Sequence, residues 1–451
     1  MSLVVNIVSG IGTRLVMAGQ AFAAVLQLAG ICIAAIGGPG TFKQRIGARL
    51  TSPAGQRLVF SILRAFLPNL LIRRKLITSY DNTATALVTR FADVREVLDR
   101  DEDFEVVYEP RMRDVTGGEN FFLGMQDTAQ YTRDVSNMRL AVRRGDVAGV
   151  VMPFVTREAE AFVAAAPGRI DVPQDLTLRV PVRLLGEYFG TPGPSEAQMV
   201  AWTTVMFWYL FIDLAADPAI HTKAIAAAAD CRAYLDTAIQ GRKAAPAAPD
   251  DILSRCLGMQ AAGLPGMDDL GIRNNLIGLC IGAVPTTSKA AIQALDQLLD
   301  RPEALAGAQR AARENDDALL GRYVFEALRF NPVNPLIYRR AVRDTVIARR
   351  TLRARTIPKS TMVLAANLSG MFDRLELAAP EAFRVDRPWN DYVLWGYGLH
   401  TCFGAHINRA IIPAILKPLL AREGLRRAKG PQGQVVTDGT PFPTHLVLEF
   451  G

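Results

Sequence analysis

Hydrophobic positions along this chain follow several distinct rhythms. From Leu15 to Gly37 about 23 residues pass without a charge, with Phe22, Leu26, Ile31, Ile33 and Ile36 set among alanines and glycines and interrupted by Gln20 and Gln27. That length is at the lower limit for a helix that crosses a bilayer. Lys43, Arg45 and Arg49 follow, so an inserted segment would leave the rest of the chain in the cytoplasm. Only Arg14 precedes the apolar run, which is too long for a signal peptide. A second stretch, Leu58 to Lys75, mixes Phe60, Leu63, Phe66 and Leu70 with Arg73 and Arg74; it reads either as a helix at a lipid interface or as one packed on the domain. The pattern then predicts a strand over Ala86–Phe91, a helix over Ala92–Leu98, an aromatic helix carrying Trp202 and Met206 to Ile212, and one long amphipathic helix from about Met267 to Leu299. The alanine- and proline-rich run Lys243–Asp250 predicts a loop.

The 451 residues are 50% hydrophobic and 21% charged, enough to bury an extensive core, and no internal repeat divides them. Net charge is +7, but neither a nucleic-acid motif nor basic clusters interleaved with aromatics accompany it, so nucleic acid is not the expected partner. Cys32, Cys231, Cys256 and Cys280 sit in no regular spacing and read as packing in a reducing compartment. Cys402 differs. It lies in Trp395-Gly396-Tyr397-Gly398-Leu399-His400-Thr401-Cys402-Phe403-Gly404, a glycine-bracketed turn beside an aromatic ring. Glycines at 396, 398 and 404 let the backbone approach without Cβ clashes, as is needed to present a thiolate to haem iron.

This segment resembles the haem-ligand loop of the cytochrome P-450 family, in its bacterial form. Trp395, Gly398, Cys402 and Gly404 fill the family pattern, with tryptophan where phenylalanine is usual, and Phe403 lies inside it. Glu326-Ala327-Leu328-Arg329 is similar to the family's Glu-x-x-Arg pair, whose i,i+3 spacing places both side chains on one helical face in an architectural role. Arg339 opens a stretch resembling Arg-x-Ala-x-x-Asp, whose first arginine reaches a haem propionate, and His400 matches another propionate-contacting position. Ile357-Pro358-Lys359-Ser360-Thr361 resembles a family hairpin with Ser360 in the usual glycine place, and Phe383–Pro388 and Ala405–Arg409 match the segments flanking the ligand loop. His221, His406 and His445 read as ordinary satisfied groups.

The departure of most consequence lies in the long helix. Gly282-Ala283-Val284-Pro285-Thr286-Thr287 resembles the oxygen-activating turn of the family's central helix, with Pro285 in place of the usual acid. A proline there deletes one amide donor and crowds the Ile281 carbonyl, at about 3 kcal/mol unless the helix is already opened. It also removes a carboxylate from the relay that, in the family, delivers protons for dioxygen cleavage, leaving Thr286 and Thr287 with their hydroxyls. Two readings stand. Protons pass through water and a threonine in a monooxygenase, or the oxidant is a peroxide whose O–O bond needs no such relay, as with a peroxygenase or a lipid hydroperoxide isomerase or dehydratase.

The resemblance implies a mainly α fold: a large helical domain with a small β-rich region and haem b between the central helix and the Cys402 loop. Residues 76–451 form the haem-thiolate catalytic domain, and residues 1–75 an apolar and basic N-terminal region that includes membrane-associating helices. The implied activity is oxygenation of a hydrophobic lipid, fatty acid or terpenoid with electrons from a ferredoxin or reductase. A non-catalytic haem sensor is the third reading. Arg139, Arg143 and Arg144, expected near one helical face, are the candidate dock for an acidic donor. The expected location is the cytoplasm, with residues 15–37 as the membrane attachment.

Overall fold

The strand expected from Ala86 is the second of five in a sheet, and the helix expected after it packs on that sheet, in a computed structural model, which describes residues 2–37, 40–245 and 248–451. Pro246 and Ala247, in the expected loop, lie outside the described residues, as do Met1, Gly38 and Pro39. Two compact units form. The first comprises Met1–Ile77, Asp81–Glu105 and Arg329–Thr401, and the second Thr78–Tyr80, Val106–Leu328 and Cys402–Gly451.

In the first unit, helices α1 (Ser2–Ala34), α2 (Phe42–Thr51) and α3 (Pro53–Phe66) precede strands β1 (Asn69–Ile72) and β2 (Ala84–Val88), helix α4 (Phe91–Asp99) and the short β3 (Phe104–Glu105). Strands β5 (Ile337–Ala341), β6 (Thr345–Ile347), β7 (Arg355–Ile357) and β8 (Thr361–Ala365) complete its sheets. The main sheet runs β1-β2-β8-β5-β3, with β2 and β8 parallel and the other pairs antiparallel. Val94, Val97 and Leu98 of α4 recur on one helical face and bury against Val88, Phe104 and Val363. In the turn from β7 to β8 Ser360 takes φ +62°, the left-handed conformation that explains why the matching family position is glycine.

Within Leu58–Lys75 a helix packed on the unit is found only up to Phe66, and Asn69–Ile72 forms the strand β1 instead. Phe60 of α3 buries with Phe330, Leu368 and Phe372, Arg64 donates to the Ser369 carbonyl at 3.1 Å, and Arg57 donates to the Phe330 carbonyl at 2.9 Å. Helix α1 packs on α3 through Met17, Ala21 and Ala24, which recur every turn and are buried. Arg45 of α2 donates to the carbonyls of Ala35 and Ile36 at 2.7 and 3.0 Å, satisfying acceptors that a helix C-terminus leaves without partners.

The second unit is helical. It holds α5 (Glu109–Thr116), α6 (Ala129–Ala141), α7 (Met152–Ala165), α8 (Arg179–Glu187), α9 (Glu196–Phe207), α10 (Pro218–Ala244), α11 (Ile252–Ala261), α12 (Asp269–Leu299) and α13 (Pro302–Arg313). It also holds α14 (Asp317–Phe330) up to Leu328, the helix α16 (Ala405–Leu420), and a small sheet of β4 (Arg169–Asp171), β10 (Val447–Glu449) and β9 (Arg426–Arg427). The short α15 (Asn367–Gly370) belongs to the first unit. Helix α12 is the predicted amphipathic segment. It packs against α8, α9, α10 and α16, which is why a helix of 31 residues buries most of its side chains.

Glu326 and Arg329 of α14 are both fully buried. The Arg329 guanidinium donates to the carbonyls of Met371 and Ala382 at 3.0 and 3.2 Å and lies against the rings of Phe330 and Phe372 at 4.5 and 4.6 Å. Arg387 also donates to the Ala382 carbonyl, at 3.3 Å, so two buried arginines fix one irregular segment. Replacement Arg329→Ala strips these carbonyls of a charged donor, and a loss of about 3–5 kcal/mol is expected by chemical denaturation. Arg329→Lys should recover less than half of that, because one ammonium lacks the planar fork that reaches both acceptors.

Candidate active site

Cys402 lies one turn before α16. The backbone N–H groups of Gly404 and Ala405 donate to its sulfur, while surrounding protein, by excluding water, pushes the thiol above its usual range. Its side chain is nevertheless exposed, whereas Cys231, Cys256 and Cys280 are buried. A sulfur held by two amides at the head of a helix, on a residue that is not enclosed, fits a thiolate ligand to haem iron. A Cβ at Gly404 would sit 4.0 Å from the sulfur and 3.7 Å from Asn408 Nδ2, ordinary contacts, so the protein neighbours alone do not require glycine there. The Phe403 ring tilts against Phe122 at 5.3 Å.

The loop ahead of the cysteine belongs to the first unit, and there glycine is required. Gly398 has φ +71°, and a Cβ would meet the Leu98 carbonyl oxygen at 2.7 Å; Gly396 has φ +79°. Trp395 lies 6.1 Å from Trp389, ring to ring. His400 and Arg339 come together in this unit: burial and the Arg339 guanidinium hold the His400 imidazole down to about 3, so it is neutral at physiological pH. Its Nε2 lies 3.7 Å from Asp101 Oδ1. Arg339 is buried on β5, with Nη1 donating to the Tyr338 carbonyl at 3.0 Å. Both neighbours offer N–H donors of the kind that hold a carboxylate.

Helix α12 continues through Pro285. Proline has no N–H for the Ile281 carbonyl, and the Thr286 hydroxyl donates to the Gly282 carbonyl in the same turn. Among the mostly buried positions from Leu279 to the end of the helix, the half-buried ones are Leu279, Gly282, Ala283, Thr286, Lys289, Gln293, Asp296 and Leu299. These recur every three or four residues and so form one stripe. Thr287 lies about 100° round the helix from Thr286. It is buried, and its hydroxyl donates to Asn408 Oδ1 of α16 at 3.2 Å. The two threonines of the motif thus face different surroundings: Thr286 lies on the stripe, and Thr287 joins α12 to α16. Pro285 is buried, off the stripe.

Helix α6 ends at Ala141 with Val142 as its cap, so Arg143 and Arg144 lie past the helix and share no helical face with Arg139. The correction follows from Arg143-Arg144-Gly145-Asp146, a poor continuation of any helix. All three arginines are exposed. Arg144 and Arg139, with burial as the larger cause, lower the pKa of His406 on α16, which places these cations beside the helix that follows Cys402. Sequence reasoning did not single out Asn408 or Phe122. Asn408 lay within a recognised segment without a role, and Phe122 carried no signal because its partner is distant in the chain.

The sequence profile of the cytochrome P-450 family matches residues 195–422, just over half of the chain. The cyclomarin C epoxidase CymV of Salinispora arenicola is 25% identical over 308 residues, covering 67% of this chain and 74% of that protein. Linoleate diol synthase of Gaeumannomyces graminis is 36% identical over 86 residues, 19% of this chain and 7% of that protein. The crystal structure of CalO2 superposes with a TM-score of 0.73 at 20% identity, covering 88% of this chain and 96% of that one. The chain therefore belongs to the cytochrome P-450 family, and is an oxidoreductase of the monooxygenase type that binds haem b.

Proposed function

We propose that residues 76–451 oxygenate a hydrophobic, fatty-acid-like lipid, with Cys402 as the iron ligand, Trp395, Gly398, Phe403 and Gly404 shaping its loop, and Arg339 and His400 holding the propionates. Thiolate-ligated haem b supplies O–O bond cleavage and oxygen transfer. The observation that carries the reading is the half-buried stripe on α12, which includes Gly282, Ala283 and Thr286 of the reactive turn. The Thr286 oxygen is free to accept a hydrogen bond from water while its own hydrogen is held by the Gly282 carbonyl. Thr287 fixes the helix on α16. Glu326 and Arg329 are positioning residues. The aromatic residues of α9 and the turn after it, among them Phe207, Tyr209 and Phe211, give the second unit an apolar wall suited to a lipid. Electrons come from an acidic ferredoxin-type donor that docks on exposed Arg139 and Arg144 beside α16.

A second reading, use of a lipid hydroperoxide, is favoured by Pro285. With no acid at 285 and the Thr286 hydrogen engaged, proton delivery is weaker than in the usual family turn, and an oxidant that already carries a reduced O–O bond needs less of it. The likeness to linoleate diol synthase over 86 residues points to the same substrate class. The haem-loaded protein, given linoleic acid 13-hydroperoxide and no reductant, should convert it to a defined product by mass spectrometry. Pro285→Asp should raise product formed per electron under ferredoxin-driven turnover by about tenfold and slow the hydroperoxide reaction. Pro285→Ala, which restores only the amide donor, should do neither; equal effects of the two substitutions would reduce Pro285 to a backbone role.

Residues 1–75 are proposed to attach the protein to the cytoplasmic face of a membrane by laying α1 along it. The helix is apolar on both sides. Met17, Ala21 and Ala24 face α3, while Leu15, Phe22, Leu26 and Ile33 form the opposite stripe and are exposed. Because α1 packs on α3, whose Arg57 and Arg64 are tied to the first unit, crossing a bilayer would carry those cations into it. Lying flat does not. Arg14, Arg350 and Arg355 line a cavity of about 650 Å³ beside α1, and exposed Phe66, Leu67 and Leu352 lie close by, a pairing suited to anionic headgroups. The full chain should co-float with phosphatidylglycerol-containing vesicles and be released by alkaline carbonate. Leu15→Gln, Phe22→Gln, Leu26→Gln and Ile33→Gln together should abolish flotation; resistance to carbonate would show a spanning helix instead.

A further inference from the structure

Lys289 is one turn beyond Thr286 on the same stripe of α12. Its side chain is half-buried there, and loss of water around the ammonium draws its pKa down to about 8. Among the described residues no carboxylate forms an ion pair with it, and its recorded neighbour is the face of Phe442, 5.5 Å from Nζ to the ring centre. An aromatic face offsets only a fraction of the hydration a buried ammonium gives up. Buried lysines are ordinarily paired, so a charge left in this state on the helix that carries the reactive turn is in place for an anion that arrives from outside.

What surrounds it defines the rest of that anion. Phe442 meets Phe207 at 5.9 Å, Phe207 meets Phe211 at 4.7 Å, and Phe211 meets Tyr108 at 4.8 Å, ring centre to ring centre. These aromatics come from the C-terminal segment, the end of α9, the turn after it and the residue before α5, and all lie in the second unit. They form a continuous apolar run that starts at the ammonium. A compact anion such as phosphate would use the ammonium and leave the run without a function, and a neutral terpenoid would use the run and leave the charge unpaired. One class of molecule uses both.

From this juxtaposition we infer that Lys289 binds the carboxylate of a long-chain fatty acid whose hydrocarbon chain packs along Phe442, Phe207, Phe211 and Tyr108. The inference rests on the lipid reading above and narrows it to free acids over esters, alcohols and hydrocarbons. Lysine suits the task because a single ammonium on a flexible stem can turn from the Phe442 face to an incoming carboxylate without needing a planar fork.

The test compares palmitate with hexadecanol and methyl palmitate, which keep the chain and remove the charge, by spectral titration of the haem-loaded protein and by ligand-induced shifts in melting temperature. Wild type should bind palmitate at least about tenfold more tightly than either neutral analogue, the discrimination a charge-assisted hydrogen bond gives. Lys289→Met should lose that preference while keeping hexadecanol binding, and should melt at a higher temperature without ligand because an uncompensated charge is gone. Lys289→Arg should restore part of the preference. An unaltered palmitate preference in Lys289→Met would overturn the inference, as would equal weakening of all three ligands. Wild type that binds hexadecanol as tightly as palmitate would remove the carboxylate anchor and leave the lipid reading standing, whereas wild type that binds none of the three would remove both.

Discussion

Everything chemical in the second unit depends on how completely α12 is covered. Helices α8, α9, α10 and α16 take up most of its circumference, and burial of so much apolar surface holds a helix that contains a proline and two glycines after Ile277. What the neighbours leave uncovered is a single stripe one or two residues wide. A side chain on that stripe meets whatever enters the protein, while a side chain about 100° away meets α16 or another helix. Adjacent positions therefore have unrelated functions. Thr286 and Thr287 are one residue apart, yet one hydroxyl closes its own helical turn and the other holds Asn408.

The first unit is organised by buried cations rather than by apolar packing alone. Arg329 and Arg387 converge on the Ala382 carbonyl, and Arg90 pairs with Asp373 at 3.2 Å. Arg100 bonds Glu96 and Asp103 and reaches the Val346 carbonyl at 2.9 Å. Arg329 and Arg387 serve carbonyls of an irregular segment, while half-buried Arg100 ties α4 to β6. Buried charge is costly unless fully satisfied, so such segments hold one conformation or lose several bonds together. The Cys402 loop descends from this part of the chain, and its Gly398 fits against the Leu98 carbonyl only without a side chain.

The parts of the site that were legible in the sequence are those set by local chemistry. The cysteine loop, Gly398, the Glu326 and Arg329 pair and the long central helix follow from spacing and residue type. Surroundings were less legible. The motif treats Thr286 and Thr287 alike, and only the packing of α16 separates them. The aligned face expected for Arg139, Arg143 and Arg144 required a helix through residue 144, but α6 ends at Ala141, where Arg143-Arg144-Gly145-Asp146 is a poor continuation. Helix α1 reads as uniformly apolar, yet its small residues face α3 and its large ones face outward, a division that composition blurs and helical geometry reveals. Gly404 lacks any protein neighbour that would exclude a side chain, so its recognition rested on the family pattern.

Charge along the α12 stripe joins the two departures of this chain. At the reactive turn the usual family acid gives way to a neutral proline, and one turn further on a lysine lies half-buried on the same stripe as Thr286. Asp296, farther along, is held by Arg427 at 2.8 Å and does not answer that charge. An acid at 285 would stand four residues before Lys289, a spacing at which opposite charges on a helix attract; proline there offers the ammonium no counter-charge. On the carboxylate-anchor proposal, loss of the acid and the presence of the base act in one direction: a turn that would hold protons for its own chemistry gives way to one suited to an anionic substrate.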